Sequence, residues 1–126
     1  IRPLMLARAA NLPLTLRDAT SLAVGCAKEI SGELNGYRPS PGDPPLGIHA
    51  ALSAGTIYAT ECGGTAVQRS EAFILGDPLP ALGEAMPLAG DSELIVHPSA
   101  AQHVSSFMDG AERPGGCICV GLPRAA

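Results

Sequence analysis

The chain has 126 residues, a net charge of −4 and only 16% charged residues, enough for one domain around one hydrophobic core and too short for two ordinary ones. Its eight Lys and Arg are scattered singly, which excludes the clustered basic surface that neutralises nucleic-acid phosphates. No apolar run reaches the roughly 20 residues of a membrane span.

The N-terminal stretch Ile1–Arg8 lacks the basic, apolar and cleavage regions of a signal peptide. Ile1 in place of Met predicts a chain that begins inside a longer protein. After Pro3 and Pro13, apolar residues recur at Leu16, Ala19, Leu22, Ala23, Cys26, Ala27, Ile30 and Leu34, the stripe of an amphipathic helix. Asn35-Gly36 supplies its C-terminal stop. Residues 36–45, with Pro39, Pro41, Pro44 and Pro45, can sustain neither helix nor central strand and read as a surface loop.

Leu46–Ala54 and Thr56–Cys62 then read as two strands forming a hairpin around Gly55, with His49 in mid-strand. Gly63-Gly64-Thr65 opens a polar connection to a third strand, Glu71–Leu75, stopped at Gly76. Asp77–Leu88 reads as a helix; Pro78 and Pro80 fit its first turn, where a missing N–H loses no partner, but Pro87 does not. Gly90-Asp91 turns the chain into the strand Glu93–His97, followed by a short helix, Pro98–Val104. After the Arg113–Gly116 turn, Cys117–Leu122 makes a last strand. This order predicts an α+β fold in a single domain over residues 1–126, not a doubly wound sheet.

With two Phe, two Tyr and no Trp, the core must be built mainly from Leu, Ile, Val and Ala. Cys117 and Cys119 alternate, so both face one side of a sheet. Two inward-facing core residues is the favoured account, since no second pair or nearby His completes a four-ligand metal site. Cys26 and Cys62 are expected to pack as small hydrophobes. The absence of an Asn-x-Ser/Thr sequon agrees with a cytoplasmic setting. His49, His97 and His103 stand in no nucleophile elbow or metal motif, Ser53 and Ser70 have no adjacent base, and Gly63-Gly64-Thr65 lacks the Lys of a phosphate loop.

Three stretches carry a family resemblance: Leu46–Ile57, an apolar strand ending in a small-small-Gly turn; Phe73–Glu84, a strand followed by Gly76-Asp77; and Gly90–Pro98, a Gly turn, strand and entry to a short helix. In order and spacing they resemble the class III adenylyl and guanylyl cyclase domain, and Asp18–Leu34 resembles its amphipathic helix before the hairpin. Segment lengths from Ile48 to Ala100 are similar to those of the first cyclase domain of the soluble, bicarbonate-responsive adenylyl cyclases. The resemblance implies a partial ferredoxin-like βαββαβ-type fold, an antiparallel-rich sheet with helices on one face. The family's first strand and helix, with one metal-binding Asp, would lie upstream of Ile1.

Cyclisation of a nucleoside triphosphate uses two Mg²⁺-type ions on two carboxylates, an Asn that orients the ribose and an Arg that stabilises phosphate charge. In this chain the resemblance puts Pro80 at the Asn position, Glu84 at the Arg position and Phe73 at the position that reads the purine. Pro80 has no side-chain donor, Glu84 repels a triphosphate, and Phe73 cannot make the purine hydrogen bond. Arg2 falls near the second metal carboxylate. Asp77 survives, and capping of the following helix is its expected role.

The implied function is that of a non-catalytic cyclase-homology domain, a scaffold or regulatory dimerisation partner in a larger protein, with no catalytic residue, metal or cofactor of its own. The alternatives are a metal-site or regulatory half of an active adenylyl cyclase heterodimer, which would use Mg²⁺ or Mn²⁺ and a nucleoside triphosphate, and an unrelated α+β binding module. The expected partner is a protein, either another cyclase-like domain or a larger assembly, with neither nucleic acid nor a membrane segment. The soluble-cyclase likeness also admits a ciliary or cytoskeletal setting.

Overall fold

The computed structural model describes residues 15–64, 69–104 and 110–125. The expectations placed on Arg2, Pro3, Pro13, Thr65 and the side chain of Ser70 lie outside what it describes.

Helix α1 (Leu16–Leu34) begins where Thr15 Oγ1 accepts the Asp18 N–H at 3.1 Å, and it ends where the Asn35 N–H donates to Ser31 O. An oxygen acceptor at the N-cap satisfies one orphan donor, and Asp18 in the first turn complements the helix dipole. The face turned inward overlaps the expected apolar stripe only in part: Ala19, Ala23, Ala27 and Ile30 are half-buried. Thr20, Val24, Ala27 and Ser31 pack toward the body, whereas Leu16, Leu22, Cys26 and Leu34 are exposed. Small side chains let α1 approach the rest of the domain closely, and Thr20 hides its hydroxyl on Leu16 O at 2.6 Å. Bulkier residues would hold the helix away.

Residues 37–49 contain no helix or strand. The segment is closed at its base by Gly36 N–H to Leu46 O and by Leu46 N–H to Tyr37 O. His49 is therefore exposed in a connection, not placed in mid-strand.

Strand β1 (Ala50–Leu52) does not form the expected hairpin with the strand that follows. It runs parallel to β4 (Glu93–Val96), with Ala50 beside Leu94 and Leu52 beside Val96. Two hydrogen bonds lead the chain out of β1: Ser53 Oγ donates to Pro78 O at 2.7 Å, and the Ala54 N–H donates to Ser99 Oγ at 3.1 Å. Strand β2 (Tyr58–Gly64) instead pairs antiparallel with β3 (Arg69–Leu75) over seven residue pairs, so Gly63 and Gly64 belong to the strand. This two-stranded ribbon forms a sheet of its own. Gly76, at φ 144°, ends it; a Cβ there would collide with Thr56 O.

Helix α2 (Pro78–Ala85) has Pro78 at its first position and passes into a 3₁₀ turn, Met86–Leu88, that accommodates Pro87. Helix α3 covers Pro98–Val104. Strand β5 (Ala111–Arg113) has no counterpart in the sequence expectations: it is three exposed residues long, too short to show a period. The 3₁₀ turn Pro114–Gly116 carries φ near +78° at both glycines and reverses the chain into β6 (Cys117–Gly121). The main sheet is ordered β1-β4-β6-β5, with one parallel and two antiparallel ladders.

The protein is α+β. Its core is organised by β4, whose Leu94, Ile95 and Val96 are all fully buried. Alternate residues of a strand face opposite sides. Leu94 and Val96 meet Val24 of α1, Ala100, Ala101 and Val104 of α3, and Val120 and Leu122. Ile95 meets Ala85 of α2 with Cys117 and Cys119. The expectation of helices on one face thus holds for α1 and α3 but not for α2. A strand between two neighbours with helices on both sides must be apolar throughout, and Leu-Ile-Val is.

Asn35 ties this core to its surroundings. Fully buried, it donates from Nδ2 to Ser92 Oγ at 2.9 Å and Pro123 O at 3.1 Å, and its Oδ1 accepts the Ile48 N–H at 3.1 Å. Those bonds help hold Ser92 at φ 60°, a region that disfavours side chains.

Candidate functional site

The residues that the cyclase resemblance singles out are Phe73, Pro80 and Glu84. Phe73 lies on β3 opposite Thr60, half-exposed. Pro80 and Glu84 are four residues apart on the solvent face of α2, since Pro78, Ala81 and Ala85 take the inner face. Asp77 precedes α2, but its carboxylate makes no cap hydrogen bond and its backbone is already helical at φ −56°, ψ −32°. The expected capping role is therefore corrected: an N-cap side chain reaches back only from extended backbone, and Pro80, at the third helical position, removes one of the two donors it would meet.

Glu84 does have a partner. Its Oε2 lies 3.3 Å from His97 Nε2, and His97 Nδ1 lies 2.9 Å from Ser99 Oγ and 3.1 Å from the Ser99 backbone nitrogen. Because the Ser99 N–H donates to Nδ1, the ring proton of the neutral imidazole sits on Nε2 and points to Glu84. A carboxylate, imidazole and hydroxyl in sequence have the composition of a hydrolase triad. Here, however, the Nδ1 lone pair is occupied by Ser99's own N–H, and Ser99 Oγ accepts from Ala54 N–H. The arrangement caps α3: His97 O accepts from Ala100 and Ala101, and the ring accepts from the second helical residue. It also ties α3 to the end of β1, because the His97 N–H donates to Leu52 O at 2.8 Å. Sequence reasoning placed His97 beside a helix without assigning it; Pro98 at the first helical position was the available signal.

A second polar cluster joins Glu93, Arg113 and Cys119. Arg113 Nη2 donates to Glu93 Oε2 at 2.8 Å, and Cys119 Sγ donates to the same oxygen at 3.1 Å. The Cys119 hydrogen bond, followed by the Gly90 N–H and Arg113, holds the Glu93 carboxyl below its ordinary range. Cys117 and Cys119 both point into the buried cluster under α2, as their alternation predicts. Cys26 and Cys62, expected to pack inside, are exposed free thiols, because Cys26 lies off the inward Thr20, Val24 and Ser31 face of α1 and the β2–β3 ribbon is not part of the main sheet. His103 lies on α3 and His49 in the connection before β1. Among the described residues no group of three or more His, Cys, Asp or Glu could hold a metal ion.

What the ribbon does present is apolar surface. Tyr58 and Leu75 are register partners, and Phe73 lies two residues from Leu75, so all three share one face. They are 65%, 59% and 45% exposed respectively. Tyr37 is also exposed, so among the described residues the aromatics lie at the surface. On α1, Leu16, Leu22 and Leu34 are exposed singly. The open depression of Thr15, Arg17, Asp18 and Ser21 at the start of α1 contains none of the expected site residues. No described helix is long and apolar enough to cross a membrane.

No protein-family model matches this chain, and no curated protein matches it.

Proposed function

We propose that this chain is a non-catalytic cyclase-homology domain that serves as a scaffold or regulatory dimerisation partner within a larger, cytoplasmic protein. The observation that carries the proposal is the pairing of lost chemistry with apolar surface in one segment, Phe73–Glu84. Pro80 offers no donor to a ribose. Glu84, placed where the resemblance expects a phosphate-clamping Arg, presents a carboxylate occupied with His97. A carboxylate at that point opposes a triphosphate by Coulomb repulsion. Phe73 and Leu75 expose apolar area of the kind a protein partner covers.

The test is an assay of the purified protein with ATP or GTP and either Mg²⁺ or Mn²⁺, read by chromatographic detection of the 3′,5′-cyclic nucleotide. No cyclic product above the enzyme-free control is expected. Product that disappears on replacing residues of α2, such as Glu84→Ala, would overturn the proposal. Product that appears only with a complementary cyclase domain would favour the heterodimer alternative over a silent scaffold.

A further inference from the structure

We draw no further inference here: the strongest candidate, the apolar face of the β2–β3 ribbon that carries Tyr58, Phe73 and Leu75, belongs to the surface already described, and nothing in the structure shows what covers it.

Discussion

The Glu93 carboxylate accepts from a thiol, a guanidinium and the Gly90 N–H, and the largest of these influences on its ionisation is the Cys119 thiol. Its folded-state pKa is depressed, so the unfolded chain binds its proton more readily. The stabilisation is therefore fully present above the unfolded carboxylate value near 4.5 and is lost as pH falls through the lower folded value. Urea midpoints measured from pH 7 to pH 2 should hold this contribution down to about pH 5 and lose it below. Glu93→Gln should flatten that part of the profile, and Cys119→Ala should move the loss to higher pH. An unchanged profile in both variants would exclude the coupling. Asn35 acts through satisfaction of buried groups instead. Asn35→Ala strands the Ile48 N–H and Pro123 O near the protein's interior and should cost roughly 2–4 kcal/mol in chemical denaturation.

At the scale of elements, the two sheets differ in what supports them. Strand β4 has a partner on each side and helices over both faces, whereas β2 and β3 have only each other. A lone two-stranded ribbon is marginal in water. Hydrogen exchange of the isolated domain should therefore show slow amides in β4 and β6 and amides in β2 and β3 that open at much lower free energy. Equal protection in both sheets would contradict this. The junction is also sensitive to sterics. Gly76→Ala adds a methyl group facing Thr56 O at a φ that L-residues rarely adopt, and should cost about 1–3 kcal/mol with faster exchange confined to the ribbon.

For the whole molecule, exposed Tyr58, Phe73 and Leu75 predict a separation between association and stability. Surface substitutions away from packing usually shift stability by no more than about 0.5 kcal/mol. A truncated anchor at the centre of an interface costs about 2 kcal/mol or more of binding. Phe73→Ser with Leu75→Ser should leave the thermal midpoint nearly unchanged while weakening self- or partner association of the full-length protein by at least about tenfold, read by analytical ultracentrifugation. Association that survives the double substitution would remove the ribbon from the interface.

Elements with strong local signals are legible from the residues alone. Helix α1 stops at Asn35-Gly36, α3 begins at Pro98, and the run after Gly90-Asp91 makes a strand. Capping, proline geometry and apolar runs act within a few residues, so they can be read without the fold. The inward placement of Cys117 and Cys119 follows from a strand's two-residue period in the same way. Strand pairing, by contrast, is set by long-range packing. The partner of β1 is β4, some 40 residues on, and nothing near Gly55 announces it. Packing also sets how far α1 is rotated, so that Thr20, Val24 and Ser31 are buried and the stripe's Ala19, Ala23, Ala27 and Ile30 only half-buried. The same is true of the polar clusters. Glu84 meets His97 and Cys119 meets Glu93 only because α2 and β6 are folded onto β4 and its flanks. Contacts between residues distant in sequence depend on how the whole chain is packed, which no local pattern encodes.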